Sequence, residues 1–151
     1  MDRAHAHLLR QGRFSQPDGL YLLTTVTHER QPLFTNLFHA RAVIAQMRQS
    51  EREHACKSLA WVVMPDHVHW LVELKSATLG SLMRRFKSRS SHALYQLGMP
   101  RSKVWQAGYQ DRALRREESV RVVAEYIIGN PLRAELVDQV GDYPHWDTAW
   151  T

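Results

Sequence analysis

The sequence predicts an α+β domain: a ferredoxin-like split βαβ with an antiparallel sheet, extended by one extra C-terminal helix. Three observations predict it. Hydrophobic periodicity runs in the order strand, helix, strand, strand, helix, strand. The two middle strands are separated only by Pro65-Asp66, a pair suited to reversing the chain in a tight turn. Beyond them Val120, Val123, Ala124, Ile127 and Ile128 recur at helical spacing, one helix more than the split βαβ pattern requires.

Each element has a local reason. Residues 1–18 carry Arg3, Arg10 and Arg13, lack periodicity and close on Pro17-Asp18-Gly19, so they read as a basic N-terminal arm, with a single domain over 19–151. Leu20 to Val26 is rich in apolar residues and threonine and reads as the first strand. After Pro32, Leu37, Phe38, Ala42, Ile44, Ala45 and Met47 fit an amphipathic helix with Thr35 as its N-cap. Strands are expected over roughly 56–64 and 67–74. Leu79, Leu82, Met83, Phe86, Ala93, Leu94 and Leu97 define a second helix, stopped by Gly98 and Pro100, whose other face carries Arg84, Arg85, Lys87 and Arg89. A short strand is expected between Val104 and Leu114. The third helix is expected to begin near Glu117-Glu118, where acidic residues suit the helix dipole. The aromatic stretch Tyr143 to Trp150 is expected to fold back on the body.

A formal net charge of +5 favours polyanionic partners, nucleic acid foremost. The single cysteine, Cys56, excludes an internal disulfide and fits a packing role in a reducing compartment. The N-terminus resembles no signal peptide and no apolar run is long enough to span a membrane, so a cytoplasmic protein is expected.

The stretch Met64-Pro65-Asp66-His67-Val68-His69-Trp70 raises the functional question. On a strand, residues two apart share a face and lie about 6.6 Å apart, so His67 and His69 project side by side where both can reach one ion. Val68, Trp70, Val72 and Leu74 form the opposite, wholly apolar face. If the two crossover helices cover that face, the histidines look the other way, where the third helix can bring Tyr126 and Asn130, four residues apart and one turn above each other. Pro131 biases Asn130 away from helical geometry and Gly129 loosens the same turn, making Asn130 the last, imperfect helical residue. Singly, each residue has an ordinary reading: a surface strand, a half-buried tyrosine, a cap asparagine. His5-Ala6-His7 repeats the His-x-His spacing without strand context and carries little weight.

Trp61 to Val72 closely resembles the histidine-hydrophobic-histidine motif of single-tyrosine HUH transposases, and Tyr126-Ile127-Ile128-Gly129-Asn130-Pro131-Leu132-Arg133-Ala134 resembles their tyrosine helix. Gly12 to Ser15, with Tyr21 to Arg30, is similar to the REP-associated tyrosine transposases within this IS200-like family. The resemblance covers about residues 12–150. It departs at Glu135, where these proteins usually carry a small residue, often glycine.

The resemblance implies an HUH endonuclease fold in which the extra helix is catalytic. It implies that His67, His69 and Asn130 hold a divalent metal, Mg2+ or Mn2+, and that Tyr126 is the nucleophile. The expected activity is metal-dependent cleavage and strand transfer on single-stranded DNA bearing a REP-type hairpin, through a 5'-phosphotyrosine. A bacterial, monomeric protein, nucleoid-associated when bound, is expected. Candidate phosphate contacts are Arg10, Arg13, Arg84, Arg85, Lys87, Arg89, Arg112, Arg115 and Arg116. Competing readings are a domesticated hairpin-binding protein without cleavage, a water-using metal hydrolase, and the replication initiators and relaxases that share HUH chemistry.

Overall fold

The computed structural model describes residues 16–115, 120–139 and 143–149. Arg10, Arg13 and Arg116, the expected helix start at Glu117-Glu118, and Trp150 lie outside the described residues.

The chain runs β1 (Leu20–Val26), two single 3-10 turns, α1 (Leu37–Arg52), β2 (Cys56–Val63), β3 (His67–Leu74), α2 (Leu79–Gln96), β4 (Gln110–Ala113), α3 (Val120–Ile128), α4 (Asn130–Arg133) and β5 (Trp146–Thr148). The sheet order is β4-β1-β3-β2-β5, every neighbouring pair antiparallel. Its first four strands have the split βαβ order expected, and β5 is an addition on the β2 edge.

The β2–β3 hairpin turns through Pro65 and Asp66, with the Met64 amide donating to the His67 carbonyl at 2.8 Å. The Thr27 and Phe34 amides donate to the Asp66 and Pro65 carbonyls at 2.9 and 3.0 Å, so the turn is tied to the chain after β1. Lower in the hairpin, β2 is bulged between Ser58 and Ala60, and Leu59 joins Ala60 and Val62 in one apolar cluster.

Period-two alternation sorts the sheet into two cores. Tyr21, Leu23, Trp61, Val68, Trp70, Val72 and Leu74 face α1 and α2, where Phe34, Trp105, Phe86 and Trp70 form a chain of tilted rings with centroids 5.4–5.5 Å apart. Both indoles are satisfied, Trp70 donating to Ser58 Oγ and Trp105 to Ser90 Oγ. The opposite, smaller core joins Leu59, Ala60, Val62 and Leu71 to Val123, Ala124 and Ile127 of α3 and to Tyr143.

Several boundaries differ from expectation. Asn36, not Thr35, caps α1: its side chain accepts from the Phe38 and His39 amides, while the Thr35 hydroxyl donates to the Pro32 carbonyl. The strand expected between Val104 and Leu114 is only Gln110–Ala113 with an isolated Thr27–Trp105 bridge, because Gly108 takes φ +77° and leaves extended geometry. Asn130 does not end α3. Gly129 breaks the helix, and Asn130 opens the short α4, with Pro131 in its first turn, where a missing amide hydrogen is harmless. Glu135, the position that departs from the family pattern, follows α4 in the left-handed region at φ +59°.

Tyr143 to Ala149 does fold back. The Tyr143 hydroxyl donates to the Val63 carbonyl at 2.6 Å, the Val63 amide to His145 at 2.9 Å, and the Ala149 amide to Leu59 at 2.9 Å. No described helix is long and apolar enough to cross a membrane.

Candidate functional site

The site is built on the face of β3 that the two crossover helices leave free. Pairing puts His67 opposite Val26, and His69 between Thr24 on β1 and Val62 on β2. The two imidazoles meet edge to face, centroids 4.8 Å apart at 80°. Each has its Nδ1 engaged: His67 with Asp66 Oδ1 at 2.7 Å, His69 with Thr24 Oγ1 at 2.9 Å. Their Nε2 atoms remain as the available donors. Asn130 brings its side-chain amide to 3.5 Å from His67 Nε2.

The surroundings of the two rings shift His69 and Asp66 from their ordinary values. Burial, aided by His67 and by the Arg133 cation, pushes His69 down to about 4, so its ring is neutral at pH 7. Burial alone would raise the Asp66 carboxyl, but the hydrogen bond and charge of His67, with Arg30 at 3.2 Å, hold it below its usual value. Arg30 reaches Asp66 from a turn in which Glu29 and Arg30 have φ of +55° and +52°. Such strain persists only where surrounding structure imposes it, and it recurs near working sites.

Tyr126 stands at the rim, 63% exposed, on the helix whose buried residues seal the histidine face. The Arg133 guanidinium lies 4.0 Å from its ring centre and donates to the Tyr126 carbonyl. The same cation is the smallest of the three contributions to the depression of His69. The structure thus brings His67, His69 and Asn130 together, with Tyr126 four residues before Asn130 on the preceding helix. Among the described residues no three His, Cys, Asp or Glu side chains surround one point, so a cation here would take the Asn130 amide as third donor.

The basic residues divide. Arg112 is directly opposite Leu22, hence on the histidine face, and is exposed. Arg115 is exposed just beyond β4. Arg84 and Arg85 are exposed on α2, whose buried Leu82, Met83 and Phe86 face the sheet from its other side. Lys87 donates to the carbonyls of Gln106 and Gly108, and Arg89 forms a two-pronged pair with Glu53 at 2.5 and 3.1 Å. These last two are occupied in holding the domain together.

Sequence reasoning missed Thr24, Arg30 and Arg133. Arg133 is only seven residues after Tyr126, but it lies on the separate short α4, a second helix that the sequence pattern did not announce. Thr24 was out of reach, since its partner is 45 residues away and only strand register joins them.

A family model described as "Transposase IS200 like" matches residues 16–130. The chain is 30% identical over 96 residues to the REP-associated tyrosine transposase of Escherichia coli K12, a match spanning 62% of this chain and 55% of that protein, about half its length. A Haemophilus influenzae protein is 22% identical over 138 residues, 84% of this chain and 78% of its own. In fold, a REP-associated tyrosine transposase solved bound to a REP hairpin superposes with a TM-score of 0.75 at 24% identity, covering 89% of this chain and 79% of the other.

Proposed function

This chain belongs to the IS200-like transposase family, and from that premise we propose that it cleaves and rejoins single-stranded DNA beside a REP-type hairpin. Tyr126 is the nucleophile, and His67, His69 and Asn130 hold a divalent cation, Mg2+ or Mn2+. The observation that carries this reading is the convergence of two imidazoles, each held through Nδ1, with the Asn130 amide at His67 Nε2.

The donors fit such a cation. Neighbouring ligands of a six-coordinate ion with bonds of about 2.1 Å are about 3 Å apart, close to the 3.5 Å between the Asn130 amide and His67 Nε2. Turning the amide so that Oδ1 faces inward is indistinguishable in shape. Imidazole favours later transition metals and Mg2+ favours oxygen, so a two-nitrogen, one-oxygen set suits Mn2+ better, with phosphate and water oxygens free to complete it. When bound, the cation supplies Lewis-acid polarisation of a phosphate oxygen and a template for the scissile group.

Tyr126 Oη attacks phosphorus, its proton passing to solvent. The bond to the 3'-oxygen breaks, that oxygen takes up a proton, and the products are a 5'-phosphotyrosine and a free 3'-hydroxyl. A second 3'-hydroxyl reverses the step and joins a new strand. An un-ionised phenol is a poor nucleophile, so placement in line with the phosphate must carry much of the rate. The exposed rim position of Tyr126 leaves it accessible to a bound strand.

Intact-protein mass spectrometry after incubation with hairpin oligonucleotides, with Mn2+, Mg2+ or EDTA, tests the reading. A metal-dependent gain of one DNA fragment, absent in Tyr126→Phe, supports it. Cleavage that survives the substitution indicates a water-using nuclease, and binding without adduct across hairpins and metals indicates a hairpin-binding protein that does not cut.

A further inference from the structure

Two side chains outside the proposed catalytic set touch the histidines at the nitrogens that face away from the presumed ligand position. We infer that Asp66 and Thr24 are positioning residues that hold His67 and His69 in the Nδ1–H form and so present both Nε2 lone pairs to one cation. This rests on the metal reading above and adds to it the residues that fix the orientation of the ligands.

For His67 the direction of the bond follows from chemistry. Asp66 is a carboxylate and accepts only, so at 2.7 Å the ring must donate from Nδ1, which in the neutral imidazole leaves Nε2 bare. Asp66 cannot swing away, because its other oxygen accepts from Arg30 at 3.2 Å and its backbone carbonyl accepts from both the amide and hydroxyl of Thr27, at 2.9 and 3.1 Å. Arg30, Asp66 and His67 thus form a line of three groups, each oriented by the one before it. Ligating histidines characteristically donate their second ring nitrogen to such a partner, which fixes the tautomer and makes the ligand nitrogen more basic.

For His69 the 2.9 Å contact admits either direction, since a hydroxyl both donates and accepts. Ligation decides it: a hydroxyl donating to Nδ1 would force the hydrogen onto Nε2, the atom that must face the cation. Thr24 is well placed to be a fixed acceptor. It is directly opposite His69 on β1, and strand geometry sets its position to within the pairing register. A β-branched side chain on a strand also has few rotamers to lose.

Two readouts separate this inference from the metal reading. The imidazole 15N spectrum of the metal-free protein reports tautomers directly. Both rings are expected as Nδ1–H in the wild type and as tautomer mixtures in the affected ring of Thr24→Val and Asp66→Ala. Calorimetric Mn2+ titration is expected to show affinity about 10- to 100-fold weaker in each of these variants. Thr24→Ser, which restores the acceptor, should recover near wild-type binding, and Asp66→Asn, which keeps an acceptor oxygen without the charge, should fall between. Thermal melts of all four identify any variant that loses binding by unfolding, and the serine and asparagine variants keep the test open in that event. Wild-type spectra showing Nε2–H at either ring overturn the inference, as does undiminished Mn2+ affinity in folded Thr24→Val and Asp66→Ala. A wild type that binds no Mn2+, yet has both rings locked as Nδ1–H by these partners, overturns the metal reading while supporting the positioning contacts.

Discussion

The guanidinium of Arg133 lies 4.0 Å from the centre of the Tyr126 ring and packs closely against Gly129. A Cβ at Gly129 would come within 3.0 Å of Arg133 Nη1 and 3.2 Å of the Glu125 carbonyl. Break, cation and tyrosine are therefore one unit: α3 ends at Ile128, Asn130 opens α4, and the last residue of α4 covers the tyrosine.

Arg133→Ala is expected to change stability by no more than about 1 kcal/mol, the usual worth of an exposed cation–ring contact. It should slow formation of the DNA adduct about tenfold by freeing the phenol to rotate. Gly129→Ala should produce the same slowing with Arg133 still present. Single-turnover adduct kinetics with melting curves check both, and a normal rate in Arg133→Ala would show that the stacking has no part in the reaction.

Glu135→Gly should stabilise the protein by about 1 kcal/mol. A side chain at φ +59° suffers a steric penalty that glycine avoids, partly offset by the greater entropy glycine loses on folding. Urea denaturation measures it, and the gain is expected without change in DNA cleavage, since Glu135 is exposed beyond the end of α4.

Alkaline pH should destabilise the fold in two steps. Burial pushes the Cys56 thiol, with Glu51 adding to it, and the Tyr143 hydroxyl each up to about 12. Unfolded, they titrate near their ordinary values, about 8.5 and 10. The folded state thus holds both protons more tightly, so stability is full below about pH 8.5 and declines as pH rises towards 12. Cys56→Ala should remove the earlier part of the slope. Tyr143→Phe should remove the later part, while lowering neutral-pH stability by about 1–2 kcal/mol through the orphaned Val63 carbonyl. Denaturation midpoints between pH 7 and 11.5 give the result, and identical slopes in all three proteins would contradict it.

The arginines should separate by layer. Arg112→Gln is expected to weaken binding of single-stranded DNA and to reduce the salt dependence by about 0.7, one phosphate contact's share. Arg84→Gln with Arg85→Gln, across the sheet from the histidines, should leave cleavage at saturating DNA unaltered. Arg89→Gln should act mainly on stability through its Glu53 partner. Affinities over a salt series, with adduct yields at saturation, distinguish the three.

How far the sequence disclosed this molecule depended on the range of the forces involved. The central hairpin was legible because alternation and the Pro65-Asp66 turn act over a few residues, and the strands observed at Cys56–Val63 and His67–Leu74 differ from expectation by one residue. The facing of His67 and His69 followed from the same alternation. Thr24 was invisible because its role depends on register between β1 and β3. Asn130 was misread as a helix end because Pro131 and Gly129 both signal termination, whereas here they stop one helix and start another. Trp146–Thr148 gave no strand signal, being three residues long and formed only because β2 offers an open edge.

That three-residue strand bears on how the sheet edge meets other molecules. β2 ends in five consecutive buried residues, Leu59 to Val63, and without a neighbour its outer backbone would be an apolar template for pairing with other molecules. The short β5 and the short β4 stand at the two sides instead, each too brief to recruit a foreign strand well. The C-terminal segment therefore covers a strand edge that would otherwise invite self-association.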